Sequence, residues 1–331
     1  MNDQAAVLAL TEATQDEWYK TAALIVEAGG ATALLEGHTG TLDEDQRDAA
    51  ERLASRVTPD TLERAEALIR SVQAQGIRLV TVLDEDYPLN LHQIYNRPPF
   101  LFIRGQLRSS DSRSVAVVGT RQPSEAGLEH ARTFSGRLAS EKITVLSGLA
   151  MGIDTAAHEA ALDAGGRTVA VLGHGIRARL YPPANASLAS RIAHHAALVS
   201  QFWPDAPPTR SSFPMRNVVM SGMALGTVVI EATSTSGARN QARRALEHGK
   251  RVFLLDSLVM HQEWAQRYSE RPGVIVVRRV EDVLDVLTAV AKPTQPLERV
   301  TVRCEVINHQ YPSVNDSLSM EGITVYGIYL I

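Results

Sequence analysis

Four short segments of the chain carry residue types suited to recognising anions: GTRQPSEAG at residues 119–127, SGLAMGID at 147–154, GHG at 173–175 and ATSTSGARN at 232–240. Small residues let a backbone approach its ligand closely. Unpaired amides at a helix start, together with hydroxyls, attract anionic oxygens. One such turn says little, because strand-to-helix turns favour Gly and Ser, but four in series predict a phosphate-binding trough. Arginines accompany them: Arg121 in the first segment, Arg216 in SSFPMRN (211–217) and Arg239 just after Gly237. A guanidinium grips phosphate through two parallel hydrogen bonds, which an ammonium cannot do. Arg243, Arg244, Lys250 and Arg251 form a further basic cluster, whose first reading is a solvated face. Gly119 is not followed by the other glycines of GxGxxG and no GxxxxGK[ST] occurs. Neither a standard dinucleotide site nor a P-loop ATPase is supported.

Groups for acid–base or metal chemistry are sparse. Asp154 and His158 fall at i and i+4 on one expected helix. Without a third partner they read as a loop brace and a packed ring rather than an acid/base pair or half a metal site. Glu231 closes an apolar strand at the trough and is the best-placed carboxylate, with an expected role of accepting amide or Ser/Thr bonds from the ATSTSG loop that follows. His194, His195 and His261 have no metal-ligand partner at useful spacing, and Cys304, the only cysteine, forms neither an internal disulfide nor a thiolate zinc site. No catalytic residue, metal or cofactor is assigned.

These turns need elements to hold them. The first third reads as helices at 17–28, 43–55 and 59–75, the first stopped by Gly29-Gly30 and the last opened by Thr58 as N-cap with Pro59 at its first position. They make a small helical domain over 1–76. A strand at 77–84 and a Pro-rich bridge at 87–105 follow. From residue 114 short apolar runs at 114–119, 143–148, 167–173, 198–200, 226–232, 251–256 and 273–277 alternate with helical segments such as 125–140, 153–164 and 238–248. That alternation predicts an α/β, doubly wound, mostly parallel sheet over 77–290, with ligands beyond the carboxyl ends of its strands where strand order reverses. The tail, 291–331, shows only two strand-like runs, 300–307 and 323–329.

Composition is that of a globular chain: 331 residues, 44% hydrophobic and 21% charged. No apolar run approaches the roughly 18 to 20 residues of a membrane span, and the start lacks a basic and then apolar signal, so a cytoplasmic protein without a membrane partner is expected. The net charge of −4 hides an asymmetry. Residues 1–96 hold 7 Lys/Arg against 17 Asp/Glu, and the rest 26 against 20, a net −10 followed by a net +6. The positive excess lies with the phosphate-ready loops, and the acidic part is either a protein-docking face or a guard that keeps a polyanion to one side.

In motif order the chain resembles the DNA-processing protein DprA family, also called Smf, from about residue 87 to 279. YPLNLHQIYNRPPFLFIRG, VAVVGTRQPSEAG, SGLAMGIDTAAHEAALDAGGRTVAVLGHG, LYPPAN, FPMRN and EATSTSGARNQARRALEHGKRVF succeed one another as in that family. The resemblance implies an extended Rossmann-like fold with a small N-terminal helical domain, SAM-like or helix-hairpin-helix-like. It implies a homodimer that binds single-stranded DNA and helps load RecA recombinase in natural transformation. It places Gly119, Thr120, Arg121, Ser147, Gly148, Arg216, Asn217, Ser236, Gly237 and, in this chain, Arg239 at the DNA backbone. Met151 and Val218 stand where the family usually has basic residues, and Asp256-Ser257 replaces a Pro-Gly. The leading expectation is a non-enzymatic single-stranded DNA-binding protein. The alternatives are a nucleotide sensor or nucleotide phosphoribohydrolase-like enzyme acting through Arg216 and Glu231, and a partner-binding scaffold that docks through its acidic helices.

Overall fold

A computed structural model describes residues 2–291 apart from Asp16, Thr39 and Thr41. The strand-like runs at 300–307 and 323–329, and Cys304, lie outside the described residues. The chain opens with α1 (Asp3–Ala13), α2 (Trp18–Glu27), α3 (Ala31–Leu35), α4 (Glu44–Ala54) and α5 (Pro59–Gln73). Local signals end and start them as read: Thr58 Oγ1 accepts from the Thr61 amide with Pro59 in the first turn, and Asp43 with Gln46 forms a reciprocal capping box on α4. Helix α1 has no signature in the sequence analysis. Residues 5–11 are all buried, so its apolar surface runs all round and leaves no periodic stripe to detect.

The sheet follows: β1 (Ile77–Thr81), α6 (Leu89–His92), β2 (Phe100–Gly105), β3 (Ser114–Val118), α7 (Glu125–Ser140), β4 (Thr144–Ser147), α8 (Ile153–Asp163), β5 (Thr168–Val171), α9 (Ala186–His195), β6 (Ala197–Ser200), α10 (Ser212–Met223), β7 (Gly226–Val229), α11 (Gly237–Glu247), β8 (Arg251–Leu255), α12 (Asp256–His261), α13 (Glu263–Ser269), β9 (Val274–Val277) and α14 (Val280–Ala291). Among the described residues the strand order is β1-β2-β6-β5-β4-β3-β7-β8-β9. All neighbours from β6 to β9 pair in parallel, while β1 and β2 add an antiparallel edge. The α/β, mostly parallel, doubly wound expectation holds. Strands β3, β4, β5, β6 and β7 are buried throughout, as a sheet covered on both faces requires. Strand β2 was hidden inside the Pro-rich bridge. Its Phe100 ring lies 5.4 Å from Trp18 of α2 and 5.1 Å from Trp203, so the sheet edge and the first helices share one core within a compact unit of residues 1–290.

The order reverses between β3 and β7. The chain winds from β3 through β4 and β5 to β6 on one side, then returns to β7 on the other side of β3 and proceeds to β8 and β9. The loops leaving β3 and β7 therefore diverge, and a crevice opens between them.

Candidate functional site

A cleft of ≈ 350 Å³ occupies that crevice. Its walls come from the end of β3 (Gly119, Thr120, Arg121), the start of α8 (Asp154), the start of α10 (Phe213, Arg216, Asn217) and the start of α11 (Ser236, Gly237, Asn240). Helix starts turn the positive end of the helix dipole towards the cleft, which favours negative charge there, with the Ile153 amide of α8 and the Ala238 amide of α11 already bonded within the protein. The loops are tied to one another. The Thr120 amide donates to Glu231 O at 2.6 Å, and the Ile153 amide donates to Thr120 O at 3.2 Å. Gly119 and Gly152 serve that packing: a Cβ on Gly119 would overlap Ile153, and one on Gly152 would meet Thr120 O. Gly152 also has φ +80°, which glycine adopts without strain. Here small residues let loop approach loop, which in turn sets the shape offered to a ligand.

The three arginines, equivalent by composition, occupy three different environments. Arg121 is exposed, its Cζ 5.5 Å from the centre of the Phe213 ring. Arg216 is 7% exposed, donating from Nη1 to Val171 O at 2.9 Å and from Nε to Asn217 Oδ1 at 3.1 Å. Burial lowers its pKa, the charge of Asp154 opposes that, and Arg121 adds to the lowering. Arg239 does not line the cleft. Its Nη1 donates to Ser234 O at 2.8 Å and its guanidinium lies 5.9 Å from the Trp264 ring, whose Nε1 donates to Ala232 O at 3.1 Å. Arg239 and Trp264 thus hold the loop after β7 by two of its carbonyls.

Asp154, at the cleft wall, is the anionic counterpart of Arg216. Its Oδ2 accepts from the Gly148 amide at 3.0 Å and the Ala150 amide at 3.4 Å. Burial raises its pKa, while Arg216 and the hydrogen bonds from the Ala150 and Gly148 amides pull the other way. Ser147 is itself fully buried, with Oγ donating to Val117 O at 2.7 Å, and Gly148 lies flat against the Arg216 guanidinium. Of the ten residues singled out from sequence, Gly119, Thr120, Arg121, Arg216, Asn217, Ser236 and Gly237 come together at the cleft. Ser147 and Gly148 lie behind it, supporting Asp154 and Arg216, and Arg239 lies beside it. The GHG turn is a packing turn: a Cβ on Gly173 would meet the Phe213 ring and one on Gly175 would overlap the Trp203 and Pro204 carbonyls. Phe213 was not singled out, because an aromatic in a helix start carries no periodic signal. Met151 is 45% exposed on the loop between β4 and α8, next to Ala150 at the cleft.

Candidate catalytic groups are engaged elsewhere. Glu231 Oε2 accepts from the Ser124 amide at 3.1 Å and the Ser124 hydroxyl at 2.9 Å. Its partner is the loop after β3, across the switch point, rather than the ATSTSG loop. Ser221, His248 and Asn96 form a chain of contacts at 2.7 and 2.8 Å that resembles a nucleophile–base–orienter series, but Ser221 is fully buried and no substrate reaches it. Among the described residues no three His, Cys, Asp or Glu side chains converge as metal ligands, and no helix is long and apolar enough to cross a membrane.

His158 packs beneath the loop as read, with Nδ1 2.6 Å from Thr168 Oγ1 and no exposed surface. Burial pulls its pKa down to about 3. A histidine neutral in the fold and protonatable when unfolded stabilises the protein above its unfolded pKa. That stability is lost as pH falls from 6.5 towards 3, at up to about 1.4 kcal/mol per unit. Urea unfolding of wild type and His158→Leu across this window should show a shallower loss for the variant. Parallel pH profiles would refute the assignment.

Over residues 78–287 the chain matches the family described as DNA recombination-mediator protein A. It is 38% identical over 209 residues to Protein Smf of Escherichia coli, covering 62% of this chain and 56% of that protein. It is 38% identical over 190 residues to DNA processing protein DprA of Streptococcus pneumoniae, covering 57% and 67%. The chain thus spans a little over half the length of the Escherichia coli relative. The crystal structure of the Streptococcus pneumoniae protein superposes with a TM-score of 0.66 at 28% identity, covering 86% of this chain and 98% of that one. DNA processing protein A from Helicobacter pylori, whose structure concerns its single-stranded DNA binding mode, shares the fold with a TM-score of 0.57 at 23% identity, covering 65% and 96%.

Proposed function

The chain belongs to the DNA recombination-mediator protein A family, and from that premise we propose that it binds single-stranded DNA without turning it over, holding the sugar-phosphate backbone in the switch-point cleft. The observation that carries this reading is the pairing of an exposed guanidinium, Arg121, with a buried one, Arg216, at a cleft bordered by the starts of α8, α10 and α11. Phosphate oxygens would meet the exposed Arg121 and the positive ends of three helices above a buried guanidinium balanced by Asp154, while bases are read weakly. The single-stranded DNA named for the Helicobacter pylori relative supports the same ligand. The proposal extends to a homodimer that helps load RecA recombinase on the strand in DNA uptake. The nucleotide-cleaving alternative requires Arg216 and Glu231 at one site, and the hold of Ser124 on Glu231 weighs against it.

Fluorescence anisotropy with a labelled oligo-dT tests the reading. Two guanidinium–phosphate contacts on a single strand give a slope of log affinity against log salt of about −1.4, so affinity falls about sevenfold between about 50 and about 200 mM salt. Absence of binding at the lower salt overturns it. Light scattering of the purified chain, and capture of RecA on the DNA-bound form, test the homodimer and the loading step separately.

A further inference from the structure

The face of α11 that begins at the cleft leads to a second feature that the site does not use. Asn240 lines the cleft, and Arg244 and His248 follow it at i+4 and i+8, one stripe along the helix. At the far end stands Tyr95, 59% exposed. Its ring meets His248 edge-on at 5.9 Å and Tyr19 of α2 at 6.3 Å. His248 is itself pinned, Nδ1 to Ser221 Oγ at 2.7 Å and Nε2 to Asn96 Oδ1 at 2.8 Å. An exposed aromatic is ordinary when it stands alone. This one is held from two sides with its ring open to solvent.

Cations lie on its His248 side. Arg244 and Lys250 lie close enough to His248 for their charges to disfavour its protonated form, against the opposing pull of Glu247; burial is the larger cause of a pKa near about 4. Arg243 and Arg244 share Glu247 as their one carboxylate, at 3.4 and 2.8 Å. The end of α11 therefore keeps a positive excess. The other acid at this face, Glu17, accepts the Tyr19 hydroxyl at 2.9 Å. Aromatic rings interleaved with cations are what a single strand of nucleic acid uses, bases stacking on rings while phosphates follow the positive charge.

We propose that Tyr95 is a second contact for single-stranded DNA, a stacking platform reached from the cleft along the Asn240–Arg244–His248 stripe. This rests on the cleft binding the same strand. Helix α11 is 11 residues long, or about 16 Å, so a strand stacked at about 3.4 Å per nucleotide needs about five nucleotides to reach from cleft to ring.

Oligo-dT of about 4 and about 12 nucleotides, within and beyond that reach, separates the two contacts. Tyr95→Ala in the full chain should weaken the longer oligomer about tenfold and leave the shorter unchanged, and Tyr95→Phe, which keeps the ring, should bind the longer oligomer as wild type does. An unchanged affinity of Tyr95→Ala for the longer oligomer, equal losses for both lengths, or a wild type that binds both lengths alike overturns the platform while leaving the cleft standing. A wild type that binds neither oligomer sinks the cleft reading, and the platform with it.

Discussion

Arg216→Ala should lower the stability of the chain by about 3 kcal/mol and remove most single-stranded DNA affinity, whereas Arg121→Ala should leave stability within about 0.5 kcal/mol and weaken binding about tenfold. The difference follows from what each guanidinium touches. Removing Arg216 leaves Val171 O without its donor and Asp154 buried without the opposite charge that offsets its desolvation. It also empties the volume against which Gly148 packs. Arg121 stands in solvent against Phe213, so its loss removes the proposed phosphate contact and little else. Its salt slope should flatten by about 0.7, the signature of one lost backbone contact on a single strand. Urea unfolding and anisotropy on both variants decide the matter. An Arg216→Ala protein as stable as wild type would show that the cation is not a structural part of the floor, and an Arg121→Ala protein with undiminished affinity would exclude Arg121 from the DNA path.

Gly148→Ala provides the second large effect. The added methyl would occupy the position of the Arg216 guanidinium. That guanidinium borders the cleft and can yield only towards it, giving up its bond to Val171 O and its place opposite the buried Asp154. Overpacking of this kind costs about 1–3 kcal/mol. In an Arg216→Ala background the same methyl finds room and should cost almost nothing, so the double-mutant cycle should show a coupling of about 1–3 kcal/mol. Additive losses would mean that Gly148 is needed for its backbone rather than for the contact. The same variant should reduce DNA binding in proportion to the displacement of Arg216, although Gly148 itself does not line the cleft.

Much of the fold was legible because its signals are local. A Thr-Pro pair starts α5, Gly-Ser turns follow β3, β4 and β7, and continuous apolar runs mark strands buried on both faces. Helix α1 was not legible, since a helix buried all round has no amphipathic period, and β2 was masked by the prolines that precede it. At the site, the turns were found but the duties within them were not. Glycines read as room for a ligand also make room for other loops at Gly119 and Gly152. Glu231 found its hydroxyl partner in the loop after β3 rather than in its own.

Residue types and their spacing determined by themselves the α/β class, the turns that carry the chemistry and the separation of an acidic helical start from a basic sheet, because each depends on neighbours in the chain or on a simple sum. The tertiary structure alone decided which arginine is exposed, which is buried and which braces a loop. Arg216 is buried by Val171 at the end of β5 and by Gly148 and Asp154 of the connection from β4 to α8, and Arg239 is drawn aside by Trp264 from beyond β8. Whether a charge faces solvent or floors a cleft is set by long-range contacts that no local pattern encodes.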